Sequence, residues 1–141
     1  MARPDGKIEI LSKIPLFEHC TPKELELIGQ LTDQIDASAG EVLTREGQPG
    51  REFYVVLDGK AKVTIEGREV ASLGQGDFFG EMAIIDQGPR AATVTAETPM
   101  QLYVVDHRPF WTMVQESPSV AQNVMRALAH RLRVAENAPT Y

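Results

Sequence analysis

Cysteine and histidine are both scarce in this sequence. Cys20 is the only cysteine among 141 residues, so neither an intramolecular disulfide nor a structural zinc site can form, and a reducing cytoplasm is the expected setting. The three histidines are His19, His107 and His130, with none between residues 20 and 106. A metal enzyme of the cupin type needs clustered ligands on its strands, so this gap makes that class an unfavoured alternative and predicts no metal and no catalytic residue.

Long hydrophobic runs and an excess of positive charge are also missing. The longest apolar run, residues 53–57, is far too short to span a bilayer, and the polar residues 1–13 contain no signal-peptide core. Lys and Arg number 14 against 20 Asp and Glu, which gives a net charge of -6. We therefore expect neither membrane insertion nor a nucleic-acid partner, since nucleic-acid binding requires basic residues that neutralise phosphates.

Helix signals are found at the N-terminal end of the chain. Apolar residues in 6–17 indicate a helix that stops near Pro15. Thr21 then has the features of an N-cap, with Pro22 at the first helical position and Glu24 completing a capping box. These signals predict a second helix that runs to about residue 31.

The C-terminal end also has helix signals. A short helix is predicted over residues 108–115, and Ser117-Pro118 has the form of an N-cap followed by a first helical residue. After it, apolar residues recur every four positions and form one stripe. The stripe consists of Val120, Val124, Leu128 and Leu132.

Short β-rich runs separated by glycines occupy the middle of the chain. These runs are residues 41–45, 52–57, 60–65, 69–73, 91–96 and 101–105. Asp58-Gly59 between two of them is a signal for a two-residue hairpin. The pattern predicts an α+β protein: an antiparallel β-roll or jelly-roll barrel, flanked by N-terminal helices and two C-terminal helices.

Residues 78–94 combine the side chains that an anion site needs. Gly80 allows close approach to the backbone, and the segment from there to Ile85 can form one helical turn whose first N–H groups point outward. Arg90 can donate two parallel N–H groups to phosphate oxygens, and Glu81 can accept a hydrogen bond from a hydroxyl. The Thr93 hydroxyl can contact the edge of a heterocycle. A 3′,5′-cyclic nucleotide has these three parts.

The same residues resemble a known family. Residues 79–85 (FGEMAII) and 89–94 (PRAATV) are similar to the phosphate-binding cassette of cyclic nucleotide-binding domains, which occur in protein kinase A regulatory subunits, cyclic-nucleotide-gated channels and bacterial cAMP sensor proteins. Other matching segments are residues 14–17, 40–43, 46–47 and 53–59. The resemblance covers about residues 10–135, which is nearly the whole chain.

The resemblance implies a role for each cassette residue. Arg90 would bind the cyclic phosphate, Glu81 would accept the ribose 2′-hydroxyl, and Thr93 would lie near the base. Backbone amides would complete the phosphate shell. The implied ligand-binding residues are Phe79, Gly80, Glu81, Met82, Ala83, Arg90, Ala91, Ala92 and Thr93. Family members that prefer cGMP often carry Thr directly after the arginine, so Ala91 favours cAMP as the ligand over cGMP.

The resemblance also implies an organisation and a mechanism. We expect one cyclic nucleotide-binding domain over residues 1–141, with N-terminal helices in 8–32, the β-roll in 33–106 and C-terminal helices in 107–136. The last helix would close over the base as a lid through Leu128, Arg131 and Leu132. An effector protein or an attached domain would detect the closure. The terminal helices leave a homodimer open, and a family member that acts as an interaction module without ligand is the main alternative.

Overall fold

The computed structural model describes residues 4–136, and side chains from residue 7 to residue 133. The helices are α1 (Pro4–Ser12), α2 (Pro22–Leu31), α3 (Glu81–Ile85), α4 (His107–Glu116) and α5 (Pro118–Glu136), with a 3₁₀ turn at Pro15–Phe17. The strands are β1 (Asp33–Ala37), β2 (Val42–Thr44), β3 (Glu52–Asp58), β4 (Ala61–Ile65), β5 (Arg68–Leu73), β6 (Phe78–Phe79), β7 (Thr93–Ala96) and β8 (Met100–Asp106). The predicted β-roll with flanking helices is therefore confirmed.

The chain divides into two compact units, one within residues 30–111 and the other formed by segments of 1–29 and 112–141. The eight strands found within residues 4–136 all belong to the first unit and form two antiparallel four-stranded sheets. The strand orders are β1-β8-β3-β6 and β2-β7-β4-β5. Both sheets contribute side chains to one apolar core, in which Val56 and Leu102 from the first sheet lie with Ala61 and Val94 from the second.

One turn prediction was wrong. Asp58-Gly59 does not close a hairpin, because β3 pairs with β6 and β8 whereas β4 pairs with β5 and β7. The segment carries the chain from one sheet to the other, and Gly59 takes a φ of 96° there. The hairpin of this region lies at Glu66-Gly67, where both residues have positive φ and Ile65 pairs with Arg68.

Two strands were not predicted. β1 has the sequence DQIDA, in which only two residues are apolar, and β6 contains only two residues. β1 forms because β8 offers a complete antiparallel partner, with Asp33 opposite Val104 and Ala37 opposite Met100. β6 likewise forms by pairing with β3. Both strands are products of long-range pairing rather than of local pattern.

The helical unit confirms the predicted helix starts. The capping box is present, because the Glu24 amide donates to Thr21 Oγ1 at 3.1 Å and the Thr21 amide donates to Glu24 Oε1 at 3.0 Å. α1 ends at Ser12, earlier than Pro15, since the residue before a proline is driven out of the helical region and Ile14 is extended. Within residues 4–136, none of the helices combines the length and the apolarity needed to cross a bilayer.

A buried hydroxyl joins the starts of two helices in this unit. Ser117 is fully buried, and its hydroxyl donates to Glu24 Oε2 and accepts from the Val120 amide at 3.3 Å. Ser117 is thus the N-cap that the sequence predicted for α5. The hydrogen bond from Ser117 lowers the pKa of the Glu24 carboxyl. Burial raises the pKa of the neighbouring Cys20 thiol, so Cys20 is a poor nucleophile.

Candidate functional site

The cassette begins where β6 runs into α3. Phe78 and Phe79 pair with Val55 and Tyr54 of β3, so the chain emerges beside the start of β3. There Gly80 turns with a φ of 94° and becomes the N-cap of α3. A side chain on Gly80 would place its Cβ 2.6 Å from the Glu52 carbonyl oxygen, so both the conformation and the space require glycine at this position.

Arg90 is the buried cation of the cassette. Only 6% of its surface is exposed, and its Nη1 donates to the carbonyl oxygens of Glu52 at 3.0 Å and of Gly80 at 3.1 Å. Its Nη2 forms an ion pair with the Glu52 carboxylate at 3.3 Å. The guanidinium is therefore fixed mainly by backbone oxygens, which hold a donor group in place without neutralising its charge.

The backbone on either side of Arg90 is also held. The Arg90 amide donates to the Gln48 carbonyl at 2.8 Å, and the Arg90 carbonyl accepts from the Gly47 amide at 2.9 Å. Gly50 lies directly against the guanidinium, because a Cβ added there would be 1.8 Å from Arg90 Nε. The loop that precedes β3 is thus shaped around the arginine side chain.

Glu81 lies next to Gly80 at the first position of α3 and is 2% exposed. Burying a carboxylate is costly, so Glu81 is not an ordinary solvated carboxylate at the start of a helix. Ala83 and Ile84 of the same short helix are buried, whereas Met82 is exposed. α3 therefore turns Glu81, Ala83 and Ile84 inward and leaves Met82 and Ile85 exposed.

Ala91, Ala92 and Thr93 lead from Arg90 into β7. Ala91 is exposed and Ala92 is half-buried, and the Ala92 carbonyl accepts from Thr44 Oγ1 at 3.1 Å. The Thr93 hydroxyl oxygen accepts from the Glu46 amide at 3.0 Å, which leaves its O–H proton as a donor. The predicted residues 79–83 and 90–93 are thus parts of one unit of the fold, on β6, α3, β7 and their connections.

Phe79 belongs to the core. It is buried, and its ring stacks on Tyr54 with centroids 4.8 Å apart. Burial raises the pKa of Tyr54, and the nearby Glu52 carboxylate raises it further. Any contact of Phe79 with a ligand would therefore come from its backbone, and its side chain has a packing role.

The sequence reasoning missed Glu52 and Gly50. Neither residue lies within residues 78–94, and their relation to Arg90 depends on a pairing across about forty positions of sequence. The resemblance did mark Glu46-Gly47 and residues 53–59 on either side of them. These two matching segments were the only local signal that the residues between them, Gly50 and Glu52 included, take part in the site.

A cavity of about 430 Å³ is bordered by part of the cassette and by the loop that precedes β3. Ala83 and Ile84 of α3 line it together with Arg51, His107 and Trp111, and its lining does not include Glu81, Arg90 or Thr93. Arg51 Nη2 donates to His107 Nε2 at 2.7 Å, so Nδ1 carries the ring proton and faces Asp106 Oδ1 at 3.1 Å. The hydrogen bond from His107 lowers the pKa of the Asp106 carboxyl.

The candidate lid residues lie on α5, in the other unit. Leu128 and Arg131 are half-buried, and Leu132 is 54% exposed. The first half of the predicted stripe is core, because Val120 and Val124 are buried. The lid stays a prediction.

A family model described as "Cyclic nucleotide-binding domain" matches residues 34–117. The chain belongs to the cyclic nucleotide-binding domain family. This match confirms the resemblance on which the site residues were assigned. The members of this family are regulatory ligand-binding domains rather than catalytic domains.

Similar proteins have different outputs. The CRP-like cAMP-activated global transcriptional regulator of Mycobacterium tuberculosis is 29% identical over 92% of this chain and 60% of its own length. The cGMP-dependent protein kinase egl-4 of Caenorhabditis briggsae is 34% identical over 81% of this chain and 16% of its own length. The solved Catabolite Activator Protein of Thermus thermophilus is 31% identical, with a TM-score of 0.78, over 86% of this chain and 60% of that one.

This chain therefore spans only part of the length of these relatives. Since one of them is a transcriptional regulator, the expectation of no nucleic-acid partner is not supported by the comparisons. The single-domain organisation and the residue-level site roles remain predictions for this chain.

Proposed function

We propose that this chain is a cAMP sensor module in which the residues around Arg90 bind the cyclic phosphate. The observation that carries the proposal is an arginine at 6% exposure whose Nη1 is anchored by two backbone carbonyls. Its described contacts take three of the five N–H donors of an arginine, which leaves donors for a phosphate. A buried, pre-oriented arginine of this kind is suited to bidentate phosphate recognition.

The other cassette residues complete the proposed ligand shell. Glu81 accepts the ribose 2′-hydroxyl, and the amides of Gly80, Met82 and Ala83, with Ala91 or Ala92, surround the phosphate. Thr93 donates its hydroxyl proton toward the base. The support for these roles is that the family model covers all of these positions and that Glu81 is buried beside Gly80.

The preference for cAMP over cGMP rests on Ala91 and on a relative that is cAMP-activated by name. The cGMP-dependent relative shows that the family contains both preferences. Closure of α5 through Leu128, Arg131 and Leu132 is the proposed response, and an effector protein or an attached domain reads it. The relatives favour control of transcription or of a kinase as the process that the module regulates.

Isothermal titration of the chain with cAMP, cGMP and 2′-deoxy-cAMP tests the proposal. We expect micromolar or tighter binding of cAMP, weaker binding of cGMP, and a loss of about tenfold for the 2′-deoxy analogue, because Glu81 would lose the hydroxyl that it accepts. Absence of heat and of thermal stabilisation with all three compounds would refute the proposed function. It would favour the alternative of an interaction module that works without ligand.

A further inference from the structure

Glu52 is the more exposed and more mobile partner in the ion pair with Arg90. The Glu52 side chain is 49% exposed, whereas the Arg90 side chain is 5% exposed. The pair is therefore asymmetric: the carboxylate can rotate into solvent at little cost, but the guanidinium cannot leave. Any anion that takes the Nη2 edge of Arg90 would meet this carboxylate first.

The carboxylate is not needed to hold Arg90 in place. Nη1 already makes two hydrogen bonds, at 3.0 and 3.1 Å, to backbone oxygens, and the contact to the carboxylate is the longest of the three at 3.3 Å. The backbone of Arg90 is pinned to Gln48, and Gly50 packs against the guanidinium. Removal of the carboxylate would leave these contacts in place.

The charges in the site oppose an anionic ligand while Glu52 is in place. The Glu52 carboxylate lies 3.3 Å from Arg90 Nη2, and a cyclic phosphate bound at the same guanidinium adds a further negative charge. A carboxylate beside a bound phosphate is repelled by it, and the desolvated surroundings of Arg90 strengthen that repulsion. The energy of the Glu52–Arg90 contact must also be given up before the phosphate can use the Nη2 proton that Glu52 occupies.

We infer that the Glu52 carboxylate is an intramolecular competitor of the ligand phosphate, which occupies Arg90 in the ligand-free state and leaves it when the ligand binds. This inference deepens the proposed function, since the anion in question is the phosphate of that ligand. Glu52 acts on binding by occupying Arg90. Its effect is to weaken binding, so that the module is not saturated by traces of ligand.

Glu52→Gln tests the inference because it removes the charge and keeps the shape. We expect cAMP to bind the variant about two- to fivefold more tightly, since half-exposed ion pairs are weak. Glu69→Gln is the matched control, because it removes the same charge from an exposed position on β5 and should leave affinity unchanged. Adenosine, which lacks the phosphate, should bind Glu52→Gln and the wild type equally.

A second readout does not depend on the nucleotide. The Arg90 Nε–H signal, assigned in NMR spectra by its loss in Arg90→Lys, is followed during titration with inorganic phosphate. We expect the Glu52→Gln variant to reach half-saturation at a phosphate concentration about two- to fivefold lower than the wild type. Salt should weaken phosphate binding in both, because the attraction is electrostatic.

The outcomes distinguish failure of the competitor role of Glu52 from failure of the proposed function. Equal or weaker cAMP binding by Glu52→Gln, with normal binding by the wild type, overturns the competitor role and leaves the proposed function standing. If neither protein binds cAMP but phosphate shifts Arg90 at lower concentration in the variant, the proposed function fails and the competitor role stands. Unchanged phosphate titration in the variant overturns the competitor role whatever the nucleotide does.

Discussion

The buried polar centre at Ser117, in the helical unit, and the one at Arg90, in the unit of the sheets, differ in how many of their hydrogen-bonding groups the protein itself satisfies. At Ser117 the hydroxyl donates to Glu24 Oε2 and accepts from the Val120 amide, while Glu24 Oε1 accepts from the Thr21 amide. At Arg90 the described contacts use three of five donors, and one of these goes to a half-exposed side chain. The first centre is complete within the protein, whereas the second retains capacity for a ligand.

The difference teaches how to distinguish a structural polar centre from a binding one. Burial does not separate them, because Ser117 and Arg90 are both buried. The number of donors and acceptors left over after the internal contacts does separate them, since a buried polar group without a partner is costly unless a ligand supplies one. Substitutions at the two centres should therefore affect different measurements.

Substitution of Arg90 should have the largest effect on binding. We expect Arg90→Ala to weaken cAMP binding about a hundredfold or more, because charge-assisted hydrogen bonds to the phosphate are lost. Arg90→Lys keeps the charge without the fork of donors and should recover only part of the loss. Isothermal titration measures both variants. Wild-type affinity in Arg90→Ala would show that the second centre is not a binding centre.

Gly80→Ala should have the largest effect on stability. The left-handed conformation is unfavourable for alanine, and its Cβ would also lie 2.6 Å from the Glu52 carbonyl oxygen. We therefore expect a loss of about 2–4 kcal/mol in the free energy of unfolding. Gly67→Ala is the matched control: its φ is also positive, at 77°, but nothing lies within 4 Å of an added Cβ, so about 1 kcal/mol is expected. Urea denaturation measures both, and equal losses would contradict the steric part of the argument.

Ala91→Thr should change ligand preference by about tenfold toward cGMP. Guanine carries an amino group that adenine lacks at the same ring position, and a threonine hydroxyl could accept a hydrogen bond from it. Ala91→Val has the same shape without the hydroxyl and should leave the ratio of cGMP to cAMP affinities unchanged. Competition titrations give that ratio for each variant. A similar shift in Ala91→Val would mean that shape, rather than hydrogen bonding, sets the preference.

Ser117→Ala should have the smallest effect, and it should act on stability alone. We expect a loss of about 1 kcal/mol at neutral pH through removal of the N-cap and of the partner of Glu24, with cAMP affinity unchanged. Ser72→Ala, which removes an exposed hydroxyl, should cost almost nothing. A changed cAMP affinity in Ser117→Ala would break the contrast between the two centres.

The pH dependence of the Ser117→Ala effect has a definite sign. The folded-state pKa of Glu24 lies below its ordinary value of 4.5, chiefly because of the Ser117 hydroxyl. The resulting stability is present above that value and is lost as the pH falls through the folded-state pKa. The difference between wild type and variant should therefore shrink below about pH 4.5, as denaturation at a series of pH values would show.

Local features of the structure were predictable from the sequence. The capping box of Thr21 and Glu24 needs only four residues, and its hydrogen bonds are as expected. Which strands pair with each other was not predictable. Asp58-Gly59 has the composition of a hairpin turn, but the strands on its two sides, β3 and β4, pair with β8 and β7 instead of with each other. Arg90 was visible within a motif, whereas Glu52 was not, since their contact depends on β3 and the cassette meeting in space.

Gly50 has a consequence for how this chain can vary. A Cβ there would overlap the Arg90 guanidinium at 1.8 Å, so the absence of a side chain at one position makes room for the longest side chain at another. Substitutions at the two positions should not be independent. In a saturation library, residues larger than glycine at position 50 should be tolerated only in clones that have already lost Arg90, and those clones should have lost ligand recognition with it.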